Sequence, residues 1–89
     1  MQPLPCIIVD DEPIAREILQ EYVQRDNRIT LIGSYATAGD ALREINIKKP
    51  RLVFLDIKMP QVSGFEMLRS MPKHPFIIFT TAFREYAVE

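Results

Sequence analysis

Three short runs of apolar residues divide the chain into regular segments. They occupy residues 6–9, 52–55 and 76–79. In none of them do apolar and polar residues alternate, as they would in a strand with one solvated face. We therefore expect three strands that are buried on both faces, as in a parallel sheet.

A segment with helical spacing follows the first run. Its apolar stripe consists of Ile14, Ile18, Leu19, Tyr22 and Val23. The stripe predicts an amphipathic helix that packs on the sheet. Asp11 is placed to cap the first N–H groups of this helix, and Pro13 suits its first turn because proline has no N–H to leave unpaired.

Capping patterns predict two further helices. Thr37 precedes Asp40 by three residues, and Ser63 precedes Glu66 by three residues, spacings that resemble a capping box. The apolar positions of these helices are Ala41, Leu42 and Ile45, then Phe65, Leu68 and Met71. With another strand at Ile29–Tyr35, the order becomes β-α-β-α-β-α-β, the pattern of a doubly wound α/β fold.

Composition and charge narrow the function classes. The 89 residues are 47% apolar and 26% charged, which suits one small globular domain or a fragment of one. The net charge of −1 leaves this segment no electrostatic surface for direct nucleic-acid or membrane binding. Cys6 is the only cysteine, so the chain cannot form an internal disulfide. No apolar stretch reaches the roughly 20 residues of a membrane span. We expect a cytoplasmic protein.

Three carboxylates are the candidate chemistry. Asp10 and Asp11 follow the first apolar run, and Asp56 follows the run at 52–55. If these two strands are neighbours in a parallel sheet, their carboxyl ends bring the side chains together, at the edge where open α/β sheets bind ligands. Three unpaired anions in one cleft repel one another. A hard divalent cation such as Mg²⁺ relieves the repulsion and suits phosphoryl transfer.

A purely structural interpretation gives each carboxylate a local task. Asp11 would only cap a helix, Asp10 would be solvated, and Asp56 would stabilise the turn before Pro60. The coincidence of the three at two strand ends favours a shared site.

Three motifs carry a resemblance to a known family. They are IIVDDEP at the first strand end, LVFLDIKMPQVSG at the third and FTTAFREYA at the last. Together they resemble the receiver domains of two-component response regulators, over essentially the whole chain. The resemblance implies a flavodoxin-like (CheY-like) doubly wound parallel sheet with strand order 2-1-3-4. The ending FREYAVE resembles receivers that precede a DNA-binding domain of the LytTR class.

The resemblance also implies a phosphorelay function. Asp56 would be the phosphoacceptor, which takes a phosphoryl group from a sensor histidine kinase and thereby switches an output. Asp11 and Asp56 would ligate Mg²⁺ directly, Asp10 through a water molecule, and Lys58 through its backbone carbonyl. Such a domain is a regulatory phosphoacceptor and not an enzyme, although the full-length domain can assist its own phosphorylation and slow dephosphorylation.

Two residues of the last motif complete the implied site. Thr81 matches the family's hydroxyl residue that hydrogen-bonds the phosphoryl group, and Ala82 matches the small residue beside it. The alternative is that Thr80 and Thr81 serve only as strand formers. We favour function for Thr81 and structure for Thr80.

The chain departs from the family where it ends. Receivers continue through a fifth strand, which bears a lysine near the phosphoryl group, and a fifth helix, and this sequence contains neither. We therefore expect residues 1–89 to form a single receiver domain that is incomplete at its C-terminus. The last strand would be an edge, so we expect self-association through this edge and the uncovered sheet face.

Three other functions compete with this interpretation. A haloacid-dehalogenase-like phosphatase needs a D-x-D pattern, which neither Asp10 nor Asp56 begins. A nucleotide-binding module needs a glycine-rich phosphate loop, which the scattered glycines do not form. The third alternative, a receiver-like interaction module that is never phosphorylated, is not excluded. Phosphorylation at Asp56 would discriminate between this module and a phosphoacceptor domain.

Overall fold

Four parallel strands alternate with three helices in residues 2–60, 62–71 and 74–80, the part of the chain that the computed structural model describes. In chain order the elements are β1 (Leu4–Val9), α1 (Pro13–Gln24), β2 (Ile29–Tyr35), α2 (Ala38–Lys48), β3 (Leu52–Asp56), α3 (Gly64–Arg69) and β4 (Phe76–Thr80). The predicted α/β fold is confirmed. None of the helices in these ranges is long and apolar enough to cross a membrane.

The sheet has the strand order β2-β1-β3-β4, and all its pairings are parallel. Val9 lies opposite Leu55 in the pair of β1 with β3, and Asp56 lies opposite Thr80 in the pair of β3 with β4. The carboxyl ends of β1, β3 and β4 therefore lie at one edge of the sheet. The order 2-1-3-4 that the family resemblance implied is confirmed.

Strand β1 forms the centre of the core. Its residues without exposed surface are Cys6, Ile7, Ile8 and Val9. Alternate positions pack against α2 and α3 on one face and against Val23 of α1 on the other. A strand covered on both faces is apolar at every position, as the run at 6–9 predicted. The strand begins earlier than this run, because the Leu4 N–H donates to the Arg28 carbonyl (2.9 Å).

Helix α1 covers less of the sheet than its apolar stripe predicted. Val23 is buried and Leu19 is partly buried, but the side chains of Ile14, Ile18 and Tyr22 are at least 50% exposed. The helix packs mainly on β1 and β2. The expectation that the whole stripe faces the sheet is wrong, because the stripe is wider than the contact between helix and sheet.

The capping predictions for α2 and α3 are confirmed. The Thr37 hydroxyl accepts a hydrogen bond from the Asp40 N–H (3.2 Å), and the Ser63 hydroxyl accepts one from the Glu66 N–H (3.1 Å). Each bond pairs an N–H that the start of a helix would otherwise leave without a partner. Helix α3 is shorter than predicted, so that the buried Met71 follows it instead of lying in it.

Strand β4 is more exposed than its apolar sequence predicted. Phe76 is 71% exposed and Ile78 is 45% exposed. The register of β4 with β3 places both on the side of the sheet that α1 occupies. Burial on both faces is therefore wrong for β4 in the described part of the chain, because α1 lies over the other half of that side. Self-association through this face stays a prediction.

Candidate metal centre

Three carboxylates meet at the carboxyl edge of the sheet. Asp10 and Asp11 follow β1 directly, and Asp56 is the last residue of β3. One carboxylate oxygen from each lies within 4.8 Å of the others. The structure thus brings together the three acidic residues that the sequence marked as a site. We call them the acidic cluster.

The turn after β1 fixes Asp10. Its N–H donates to the Tyr35 carbonyl of β2 (3.0 Å), and its Oδ1 accepts a hydrogen bond from the Glu12 N–H (2.9 Å). The Arg16 guanidinium donates to its carbonyl oxygen (2.7 Å). Asp10 is also buried, with 7% of its surface exposed. Its carboxylate is therefore held in one direction by the surrounding backbone.

Helix α1 is capped by Glu12 and not by Asp11. The Glu12 side chain accepts a hydrogen bond from the Ile14 N–H (3.4 Å), and Pro13 occupies the first helical turn as predicted. The prediction that Asp11 caps the helix is wrong, because the helix begins one residue too late for its side chain to serve there. The Asp11 carboxylate belongs to the acidic cluster instead.

Burial and mutual repulsion disfavour the ionised carboxylates. Desolvation and, after it, the charge of Asp10 raise the pKa of Asp56 from its ordinary value of 3.8 to about 6. Burial also raises the pKa of Asp10, and the charge of Asp11 adds to this, although the Glu12 N–H and Arg16 oppose the shift. A bound cation would relieve this unfavourable charge.

The loop after β3 folds back against Asp56. The Lys58 N–H donates to Asp56 Oδ1 (3.3 Å), and the Gly64 N–H donates to the Ile57 carbonyl (2.7 Å). A Cβ on Gly64 would overlap the Asp56 carbonyl oxygen and would lie 3.0 Å from Ile57 Cα. This close approach of two backbone segments requires glycine. In the sequence Gly64 is one of the scattered glycines, and no role at this site was predicted for it. The metal-binding role of the Lys58 carbonyl stays a prediction.

Thr80 is a residue of this region that the sequence assigned to structure alone. It lies opposite Asp56 in the sheet, and it lines the cleft above the acidic cluster. Its Oγ1 is buried and has no hydrogen-bond partner among the described residues. Its position at the strand end was the one signal that could have revealed it. Thr81 and Ala82 lie outside the described residues, so their roles stay predictions.

The acidic cluster opens into a cleft of about 840 Å³. Its other walls come from α1, from the loop after β3 and from β4, and include Ile18, Tyr22, Met59 and Thr80. The cleft is therefore acidic where the carboxylates meet and largely apolar along α1.

The donor set of the cluster suits a hard divalent cation. It consists of carboxylate oxygens and contains no histidine or cysteine among the described residues. Mg²⁺ binds through one or two carboxylates and keeps several waters, whereas structural zinc sites use thiolate and imidazole ligands. Mg²⁺, or Mn²⁺ in its place, therefore fits the residues present.

Comparison with protein families agrees with this geometry. The response regulator receiver domain family matches residues 6–89. The chain belongs to this family, and it is thus a regulatory receiver domain and not a catalytic enzyme.

The similar curated proteins include transcriptional regulators. The transcriptional regulatory protein BtsR of Escherichia coli (strain K12) is 42% identical over 88 residues, and BtsR of Salmonella typhimurium (strain LT2) is 45% identical over the same length. Each alignment covers 97% of this chain and 37% of the relative. The chain therefore spans little more than a third of these relatives.

Solved structures share the fold. The response regulatory domain of protein mrkE from Klebsiella pneumoniae has a TM-score of 0.82 and 31% identity, over 96% of this chain and 72% of that chain. The receiver domain of NarL from Mycobacterium tuberculosis has a TM-score of 0.85 and 22% identity, over 99% of this chain and 73% of that chain. The second likeness concerns the fold alone.

Replacing Gly64 by alanine should destabilise the protein and weaken metal binding together. The added Cβ displaces the Asp56 carbonyl, and such overpacking costs about 1–3 kcal/mol of unfolding free energy. Urea denaturation with and without Mg²⁺ measures both effects. Gly39→Ala is the matched control, because no described residue outside its own helix backbone and chain neighbours lies within 4 Å of its added Cβ. Equal effects of the two substitutions would contradict the close approach.

Thr80→Val should raise the free energy of unfolding of the metal-free protein. Valine has nearly the shape of threonine but lacks the hydroxyl, and a buried polar group without a partner costs about 1–3 kcal/mol. Chemical denaturation in EDTA measures the change. Thr30→Val, at an exposed position of β2, controls for the general effect of valine in a strand. A loss of stability at position 80 would mean that the hydroxyl is paired in solution.

Asp56→Asn should stabilise the metal-free protein near neutral pH and have little effect near pH 4. Because the fold raises the pKa of Asp56 from 3.8 to about 6, the native state binds the proton more tightly than the unfolded state. This contribution to stability is present below about pH 4 and is lost as the pH rises through about 6. Melting temperatures at the two pH values measure it.

Asp26 is a control for this pH dependence, because the fold lowers its pKa whereas it raises the pKa of Asp56. Hydrogen bonds from Arg28 lower the pKa of Asp26 to about 2, so Asp26→Asn should not stabilise the protein at neutral pH. If Asp56→Asn left the melting temperature unchanged near pH 7, the unfavourable charge at Asp56 would be disproved.

Proposed function

We propose that Asp56 accepts a phosphoryl group from a phosphohistidine of a sensor histidine kinase and that this modification switches an output. The observation that supports the proposal is the convergence of Asp10, Asp11 and Asp56 at the carboxyl edge of a receiver sheet. Ligands of open parallel sheets bind at that edge.

The chain's own residues prepare Asp56 for this reaction. The Lys58 N–H holds Oδ1 of the carboxylate, which orients the group at the end of a rigid strand. With a pKa of about 6, the carboxylate is mostly ionised at neutral pH and acts as the nucleophile. Its oxygen forms the bond to phosphorus while the bond from phosphorus to the histidine nitrogen breaks. The electron pair stays on that nitrogen, and the product is an acyl phosphate on Asp56.

Mg²⁺ is the proposed cofactor. Asp11 and Asp56 would hold it directly, Asp10 would hold it through water, and the Lys58 carbonyl would supply a further oxygen. When bound, the metal would supply positive charge that offsets the negative charge of the phosphoryl oxygens. The all-oxygen donor set and the raised pKa of Asp56 support this assignment.

Two further residues belong to the proposed site. We propose that the Thr81 hydroxyl would donate a hydrogen bond to the phosphoryl group and that Ala82 corresponds to the small residue beside it. The support for both is the resemblance of the FTTA segment to the family motif.

We propose that the output is the regulation of transcription and that the protein is cytoplasmic. The named relatives are transcriptional regulatory proteins, and the aligned segment is 37% of their length. The net charge of −1 favours a DNA-binding domain outside this segment over direct binding by it. The FREYAVE segment supports an output domain of the LytTR class.

A receiver-like interaction module that is never phosphorylated is the second candidate function. The exposed side chains of Ile14, Phe76 and Ile78 favour it, because apolar patches on a protein surface mark contacts with other chains. In this case the partner is a second copy of the chain.

Phosphorylation of the purified chain tests the first candidate. Incubation with acetyl phosphate and Mg²⁺ should add one phosphoryl group, which intact-mass spectrometry detects, because an acyl phosphate can replace phosphohistidine as the donor. Asp56→Asn should abolish the modification, and EDTA should suppress it. Asp40→Asn, on an exposed helical carboxylate, is the matched control and should behave as the wild type.

The outcome separates the two candidates. An unmodified wild type whose mass in light scattering rises with concentration would favour the interaction module. Modification that persists in Asp56→Asn would contradict the assignment of the phosphoacceptor.

A further inference from the structure

Arg16 reaches from the first turn of α1 back to the acidic cluster. Its Nη1 donates to the Asp10 carbonyl oxygen at 2.7 Å, in a partly buried position. Its own N–H donates to the Glu12 carbonyl (3.0 Å), so the backbone of Arg16 is fixed in the helix. The side chain therefore ties α1 to the point where two of the carboxylates leave β1.

The hydrogen-bonded carbonyl lies between two of the three carboxylates. It belongs to the peptide group that joins Asp10 to Asp11, and this group is planar. Rotation about the Asp10 Cα–C bond would swing this carbonyl away from Arg16 and would move Asp11 and its side chain relative to Asp10. The Tyr35 carbonyl accepts a hydrogen bond from the Asp10 N–H, and the Glu12 N–H donates one to the Asp10 carboxylate. The bond from Arg16 holds the peptide plane itself.

The choice of the carbonyl keeps the carboxylate oxygens available. A guanidinium group often binds a carboxylate through two parallel hydrogen bonds, and it would then occupy the oxygens that a metal needs. Arg16 donates to the backbone instead. The guanidinium group of Arg16 therefore leaves unblocked the carboxylate oxygens of the acidic cluster that lie within 4.8 Å of one another.

We propose that Arg16 is a positioning residue for the metal centre. Its hydrogen bond to the Asp10 carbonyl sets the directions of the Asp10 and Asp11 carboxylates before the cation arrives. This inference rests on the proposed function, because it concerns the Mg²⁺ that the acidic cluster would hold.

The direction of the change in metal affinity tests the role of Arg16. Isothermal titration of the full chain with Mg²⁺ compares the wild type with Arg16→Gln. Loss of a residue that orients metal ligands weakens metal binding by about 10–100-fold, and we expect a change of this size. If Arg16 acted only through its charge, removal of a nearby cation would strengthen Mg²⁺ binding instead.

Two further variants separate geometry from charge. Arg16→Lys keeps the charge but loses the planar guanidinium, so it should recover only part of the affinity. Arg43→Gln removes an arginine that pairs with Asp40 on α2 and should leave the affinity unchanged. In metal-free NMR spectra, the Asp11 amide, which belongs to the held peptide group, should shift in Arg16→Gln but not in Arg43→Gln.

Each outcome bears on one proposal or on both. A wild type that binds no Mg²⁺ would overturn the metal site and this inference together. A wild type that binds Mg²⁺, with Arg16→Gln binding as tightly or more tightly, would overturn the role of Arg16 alone. If circular dichroism shows that Arg16→Gln is unfolded, the affinity of Arg16→Lys decides: equality with the wild type would overturn the proposal.

Discussion

The parallel pairing of β1 with β3 is the constraint on which the rest of the structure depends. It places both strands at the centre of the sheet and buries β1 from both sides. The same pairing aligns the carboxyl ends of the two strands, so that Asp10 and Asp56 meet immediately beyond the last paired residues, Val9 and Leu55. The apolar core and the acidic cluster are therefore two consequences of one set of backbone hydrogen bonds.

The acidic cluster works against the stability of the metal-free fold. Desolvation raises the pKa of Asp56 and of Asp10, and the neighbouring negative charges add to the effect. Backbone N–H groups of Glu12 and Lys58 offset part of this cost by donating to the carboxylates. Sites that break the usual rules of polar burial in this way are most often functional. In this protein the arrangement suits a cation and a phosphoryl group.

Small backbone details set the shape of the site. Gly64 lets the loop after β3 approach the Asp56 carbonyl, and Arg16 fixes the peptide group between Asp10 and Asp11. Neither residue offers a carboxylate to the cluster. The geometry of a metal centre depends on such supporting contacts as much as on the ligands themselves.

Much of the fold and of the site followed from the sequence alone. The continuous apolar runs, the capping residues Thr37 and Ser63, and the acidic residues at strand ends are local signals. Local signals suffice because strand burial, helix capping and parallel topology each leave a mark within a few residues. The adjacency of β1 and β3, which brings the carboxylates together, is not a local signal, and its expectation came from the family resemblance.

Only the tertiary structure decided which apolar positions are covered. Ile14, Ile18 and Phe76 have the composition of a core, but they are exposed, because burial depends on where a distant element lies and not on the residue itself. Glu12 and not Asp11 caps α1 for a similar reason. The Asp10 N–H pairs with Tyr35 of β2, and this turn sets the residue at which the helix starts. The buried hydroxyl of Thr80 has no partner among the described residues, and Arg16 contacts the Asp10 carbonyl. Both features depend on how strands and helices pack, which the chain acquires only on folding.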